Sequence, residues 1–175
     1  MGQGASGTVY RYVHKQTGTS LALKKITFPN GSLDDQIYSE IHISPQFKSN
    51  YLVHVEKPIL EQVNEKQYAF NIIMEYCDGG NLKQFIHKLA GRPVPENVSF
   101  FCSSVILVVC FLQEVKLVLV CILRGLKYLH NKKIIHRDIK PENVMKVSQI
   151  WKLCDFGYVQ KLSHYNGIAD TNCGT

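Results

Sequence analysis

The sequence has no CxxC pair and no cysteine–histidine cluster at zinc spacing, although six cysteines are scattered through its 175 residues. Cys77, Cys102, Cys110, Cys121, Cys154 and Cys173 therefore read as reduced thiols, which suits a cytoplasmic or nuclear setting. There is no dense Lys/Arg run either. The net charge of +6 is dispersed, with Lys24-Lys25 and Lys132-Lys133 as the longest basic clusters. Nucleic acid is not an expected partner, while an anionic ligand such as a nucleotide is compatible with the charge. No basic-then-apolar leader opens the chain, which starts Met1-Gly2-Gln3-Gly4. Without secretion the glycosylation pattern at Asn97-Val98-Ser99 carries no meaning. Internal repeats are absent. The uncharged stretch Val98 to Gln113 falls short of the roughly 18 residues that a membrane span needs and contains three serines. A membrane partner is not expected.

What is present is an alternation of short elements. Val9–Val13 and Leu21–Ile26 read as strands joined by the turn-former Thr17-Gly18-Thr19. Ser32 and Asp35 form an S-x-x-D capping signal for a helix through about Ile43, which Ser44-Pro45 should end. Tyr51–Val55 and Tyr68–Tyr76 read as two more strands. Asp78-Gly79-Gly80 reads as a flexible break, and Asn81–Ala90 as a short helix with Gly91 beyond its end. Arg92-Pro93-Val94-Pro95 is a linker. As one helix, the 96–130 stretch would run to roughly 52 Å at 1.5 Å per residue, so a break near Gln113-Glu114 is expected.

Four groups of residues carry chemistry. Gly2-Gln3-Gly4-Ala5-Ser6-Gly7 lets backbone N–H groups approach phosphates closely. A dinucleotide-binding turn uses the same letters, but there a helix follows. Here the continuation is strand-like. Lys24 lies in the apolar run Leu21-Ala22-Leu23, where its ammonium needs an anion: a nucleotide phosphate or Glu40. His136-Arg137-Asp138-Ile139-Lys140-Pro141-Glu142-Asn143 packs a base, a cation and a metal-binding amide into one loop. Asp138 can accept a proton from a hydroxyl nucleophile, Lys140 can neutralise a transferred phosphoryl group, and Asn143 can offer its carbonyl oxygen to Mg²⁺. Asp155-Phe156-Gly157 follows the apolar strand Ile150–Cys154 and supplies the carboxylate that Mg²⁺ prefers beside phosphate oxygens.

In this order, the motifs resemble those of the eukaryotic protein kinases along nearly the whole chain. The resemblance implies an α+β, two-lobed fold: an N-lobe antiparallel sheet with one helix over 1–77, including a hinge at 74–77, and a mainly helical C-lobe over 78–175. It implies ATP and Mg²⁺ as cofactors. By it, Gly2, Gln3, Gly4, Ala5, Ser6 and Gly7 cover the phosphates, and Lys24 binds them and pairs with Glu40. Val9 and Ala22 roof the adenine, Met145 floors it, Met74 is the gatekeeper, and Glu75 and Cys77 offer backbone hydrogen bonds. Asp138 is the base, and Asn143 and Asp155 hold magnesium. His136 and Phe156 stack in the spine between the lobes. Lys140, and Thr175 after Gly174, resemble the serine/threonine class, so the implied partner is a protein carrying Ser or Thr. Arg137 resembles kinases switched on by an upstream kinase, with Thr171 the implied acceptor and Ser163 and Tyr165 as alternatives. "SNYLV", "MEYCDGGNL" and "KLCDFG" look most like the kinase-kinase branch, although that branch usually has PSN where this chain reads PEN.

The chain departs from the family in four places. It starts on the glycine loop, so that loop is expected to be poorly anchored. An apolar insertion falls within about 98–120. The C-lobe is expected to be incomplete, since the chain ends at Gly174-Thr175. Ser44 stands four residues after Glu40, where the family usually has a bulky apolar spine residue. These departures leave a second reading open: a catalytically incompetent fragment that binds ATP or a protein.

Overall fold

The computed structural model describes residues 2–4, 7–29, 33–90 and 100–162; of residues 2–4, 90 and 100–110 it describes the backbone alone. The first half is a five-stranded antiparallel sheet in the order β1-β2-β3-β5-β4. Its strands are β1 (Gly2–Gly4), β2 (Gly7–Val13), β3 (Ser20–Pro29), β4 (Ile59–Asn64) and β5 (Gln67–Glu75). Along β3, buried Ala22, Lys24 and Ile26 alternate with less buried neighbours, the period of two expected of a strand with one covered face. The two apolar runs foreseen between Val9 and Ile26 are β2 and β3. β1 pairs with β2, Gly2 opposite Val9.

The helix that follows differs from its expected form. Its N-cap is Asp34, whose Oδ1 accepts from the Ile37 amide at 2.8 Å; Ser32 lies outside the described residues. One α-turn, α1 (Asp35–Tyr38), passes into a π-helical turn, Ser39–Ile43. The Ser44-Pro45 stop is also displaced: Ser44 has helical angles and a 3₁₀ turn, Ser44–Gln46, runs through the proline before Phe47 becomes extended. In the π register the residue-45 amide would donate to the Glu40 carbonyl. Proline has no N–H, and the Ser44 hydroxyl donates there instead. Gln46 Nε2 likewise serves the His42 carbonyl at 2.6 Å.

Tyr51–Val55 is not a strand. It makes only isolated bridges, Leu52 to Leu153 and Val55 to Met74, because it threads between the sheet and the helical half. β4 is a strand that the sequence did not announce. It is exposed at all six positions, so it lacks the inward apolar stripe that marks a half-buried strand. Asp78-Gly79-Gly80 is pinned rather than loose: the Gly79 amide donates to the Lys146 carbonyl at 3.0 Å, and the Lys146 amide to the Gly80 carbonyl at 2.9 Å.

The second half contains α2 (Leu82–Ala90), α3 (Phe100–Asn131), β6 (Ile134–Ile135), a 3₁₀ turn (Pro141–Asn143), β7 (Val144–Val147), β8 (Ile150–Leu153) and β9 (Gln160–Lys161). Asn81 caps α2 reciprocally with Gln84: Asn81 Oδ1 accepts from the Gln84 amide and Gln84 Oε1 from the Asn81 amide. α3 has no break at Gln113-Glu114. It is one helix of 32 residues, about 48 Å long at 1.5 Å per residue. No proline interrupts it, and Glu114 is held where the break was expected, accepting from Lys146 Nζ at 2.7 Å and from Trp151 Nε1 at 2.8 Å. Val118, Cys121, Gly125 and Leu129 form its buried face. At Gly125 a Cβ would stand 3.0 Å from the Tyr51 carbonyl, so glycine permits the close approach of the two halves. Among the described residues no helix is long and apolar enough to cross a membrane. One core runs through both halves: Ile26, Ile41, Phe47, Leu52 and Ile72 join Val118, Leu129, Trp151, Leu153 and Phe156.

Candidate active site

The sheet and the helical half enclose a cleft of about 260 Å³. Of the residues singled out in the sequence, Gly7, Val9, Ala22, Lys24, Glu40, Met74, Glu75, Cys77, Asn143, Met145 and Asp155 all line it. Gly2, Gln3 and Gly4 belong to β1, hydrogen-bonded to β2 beside the cleft wall. Ala5 and Ser6 lie outside the described residues, as do Ser163, Tyr165, Thr171 and Thr175. Gly7 has φ 138, and a Cβ there would stand 2.6 Å from the Lys25 carbonyl oxygen, so only glycine fits where the loop re-enters the sheet. The sequence reading missed Val53, Val55 and Ile72, which form the inner wall. Their types are those of any buried strand, so no local signal set them apart.

At the inner end Lys24 and Glu40 are both buried and form an ion pair. Lys24 arrives on β3 and Glu40 on the π-helical turn. Lys24 Nζ also stands 3.9 Å from Asp155 Oδ1, so one cation faces two carboxylates. Burial pushes the Glu40 carboxyl up to about 7, against the pull of Lys24 and with a further push from Asp155. Glu40 Oε2 is buried with no hydrogen-bond partner among the described residues. The inner cleft thus has an excess of acceptors, the condition a cation relieves.

Below it lies the loop between β6 and β7. Asp138 is 5% exposed. Its Oδ2 accepts from Asn143 Nδ2 at 2.8 Å and takes the Lys140 ammonium at 2.9 Å. The bond to Asp138 raises the Lys140 pKa. Asn143 Nδ2 also donates to the Asp138 carbonyl at 3.0 Å. With its amide nitrogen engaged in this way, the Asn143 oxygen is the atom suited to a cation. His136 is buried, which lowers its pKa and keeps the ring neutral. Nε2 lies 3.1 Å from the Cys154 carbonyl and Nδ1 3.4 Å from the Asp138 amide, so Nε2 carries the proton and Nδ1 accepts. Asp155 and Arg137 both have left-handed backbones, φ 62 and 65. Arg137 Nε donates to the Tyr158 carbonyl at 2.7 Å.

Asn143 and Asp155 fit a magnesium ion that completes its shell with phosphate oxygens and water, because they bring one amide oxygen and one carboxylate to the same cleft. An ion pair not foreseen from sequence closes the hinge side. Lys152 Nζ bonds both oxygens of Glu75, at 2.6 and 2.8 Å.

The family description "Protein kinase domain" matches residues 1–175. Serine/threonine-protein kinase cst-1 of Caenorhabditis elegans is 33% identical over 176 residues, covering 100% of this chain and 31% of that protein. Mitogen-activated protein kinase kinase 7 of Arabidopsis thaliana is 33% identical over 184 residues, with 100% and 50% covered. MAP kinase kinase skh1/pek1 of Schizosaccharomyces pombe is 33% identical over 181 residues, with 100% and 44% covered. The chain spans between about a third and a half of these curated relatives. With its antiparallel sheet, helical second half and motif-lined cleft between them, the chain belongs to the protein kinase family.

Proposed function

We propose that the cleft binds Mg-ATP and that the chain's residues direct transfer of the γ-phosphoryl group to a serine or threonine hydroxyl of a protein. The observation that carries this reading is the convergence of Lys24, Asn143 and Asp155, from three separate segments, on one largely apolar cleft, with Asp138 hydrogen-bonded to Asn143. Val9, Ala22 and Met145 provide faces for an adenine ring, and the backbone of Glu75 and Cys77 provides its hydrogen bonds. Lys24, held by Glu40, neutralises phosphate charge. Asn143 and Asp155 hold magnesium, which when bound offsets the negative charge of the phosphates. Asp138 orients the attacking hydroxyl and accepts its proton, while Lys140 stands beside it to stabilise the phosphoryl group in flight.

Activation belongs to the same reading. Arg137 and Lys161 line a polar pocket with Asp35, Gln36 and Tyr38. A phosphate placed on Thr171 by an upstream kinase would draw on these cations. The names of the MAP kinase kinase relatives support a protein substrate. A second reading, a nucleotide- or protein-binding module without turnover, is favoured by the exposed Leu112, Leu119 and Leu123 on α3.

Transfer of radiolabel from γ-labelled ATP to a mixed protein substrate tests the first reading. The chain should label serine and threonine, and Asp138→Asn should lower the rate at least a hundredfold. Nucleotide binding with no label transfer above the Asp138→Asn level would support the module instead.

A further inference from the structure

The left-handed backbone at Asp155 is strained for a residue with a Cβ, and such a conformation persists only where its surroundings impose it. Both neighbours of Asp155 are gripped. The Cys154 carbonyl is bonded to His136 Nε2. The ring of Phe156, 2% exposed, is caught between two others. On one side it lies 5.5 Å from His136, and on the other it meets Phe47 edge-on at 5.0 Å and 78°. Phe47 is itself 3% exposed and anchored. Its ring meets Tyr128 of α3 at 6.4 Å and 87°, and the next amide, of Lys48, donates to Tyr128 Oη at 2.7 Å. The 3₁₀ turn through Pro45 delivers Phe47 to this place, and its amide closes on the Ser44 carbonyl at 3.1 Å. Ser44 lines the cleft along with Phe156, but its hydroxyl is turned back on the Glu40 carbonyl and it offers little apolar cover.

We propose that Phe47 is a positioning residue: anchored through Tyr128 on α3, its ring clamps Phe156 against His136 and so holds Asp155 in the strained conformation that brings its carboxylate to Lys24. Ser44 is too small for that task, and Phe47 performs it from three residues further on. The functional value of the clamp rests on the Mg-ATP reading of the cleft; the clamp itself is a property of the nucleotide-free chain.

Two measurements on the 175-residue chain separate these levels. The first follows iodoacetamide labelling of individual cysteines by peptide mass spectrometry, without nucleotide. In Phe47→Ala, Cys154 labelling should accelerate at least tenfold, while Cys121, on the buried face of α3, stays within twofold of the parent. Phe47→Leu should lie between, and it carries the comparison if the alanine variant does not fold. Adding Ser44→Leu should return Cys154 toward the parental rate by refilling the space beside Phe156. Acceleration of Cys154 and Cys121 together would mean general loosening and would overturn the proposal. So would an unchanged Cys154 rate, or a Ser44→Leu change that restores nothing. The second compares Mg-ADP with adenosine: the Phe47 variants should lose at least tenfold in Mg-ADP affinity and less than threefold in adenosine affinity. Parental chain that binds neither ligand would sink the nucleotide reading, while the Cys154 rates would still decide the clamp.

Discussion

Cys77 and Cys154 both line the cleft, yet neither is a ready nucleophile. Burial, reinforced by the charge of Glu75, pushes the Cys77 thiol from 9.0 up to about 12. Burial and the charge of Asp155 push Cys154 up as well. A rise of three units leaves roughly a thousandfold less thiolate at a given pH. At pH 8, iodoacetamide should therefore modify Cys77 at least a hundredfold more slowly than free cysteine; labelling at a comparable rate would contradict the burial assigned to it. His136 supplies a second test. Its pKa lies below the ordinary 6.5 because burial disfavours the cation. Below pH 6.5 the unfolded chain takes up a proton that the folded chain refuses, so this group's contribution to stability falls as pH drops. His136→Leu should flatten the loss between pH 7 and 5, by up to about 1.4 kcal/mol per pH unit, in urea unfolding series. The grouping of Lys24, Asn143 and Asp155 at one cleft, with Asp138 bonded to Asn143, was largely legible, because all four stand in motifs whose residue types serve no ordinary structural need. The burial of Cys77 and the bond of Lys152 to Glu75 depend on segments far apart in the chain, and no local pattern announces them.

β3 was legible because Ala22, Lys24 and Ile26 are buried in alternation, whereas β4, exposed throughout, carries no such pattern. The proline rule misplaced the end of the helix that carries Glu40 because it ignores what neighbouring side chains can repair. Here Ser44 and Gln46 serve carbonyls that the irregular turn leaves without amide partners. For α3, length argued for a break, but the interaction that decides the matter is tertiary. Burial raises the Glu114 carboxyl, but the bonds from Lys146 and Trp151, with the Lys146 charge, outweigh it and leave the pKa lowered. Glu114→Ala would leave the Trp151 N–H and the Lys146 ammonium without this acceptor. A loss of about 1–3 kcal/mol is expected, measurable by urea unfolding with Trp151, the chain's one tryptophan, as the fluorescent probe. A loss within about 0.5 kcal/mol would show that the contact does not seat α3 against β8.

Across the whole molecule, the halves are joined by a shared core and by few polar links. The Glu75–Lys152 pair is the strongest of these by geometry, with side chains 25% and 12% exposed. Removing one partner strands the other, whereas replacing both can be nearly neutral. Lys152→Met should cost on the order of 2 kcal/mol, less than a fully buried pair because Glu75 keeps some water. Adding Glu75→Gln should recover at least half of it; additive losses would mean that the pair is not coupled. The order of motifs along the chain told the two-lobed plan, since only a fold that returns to the cleft several times can gather Gly7, Lys24, Glu75, Asn143 and Asp155. How the lobes grip one another was not legible, because Phe47, Tyr128 and Gly125 carry no motif. The central claim is that these segments form one nucleotide site. Calorimetric titration of the chain with Mg-ATP tests it most directly, with Lys24→Met and Asp155→Asn as comparisons. Saturable binding at one site, weakened at least tenfold in both variants, is the predicted result. Binding that both substitutions leave unchanged, or no binding to the parental chain, would contradict it.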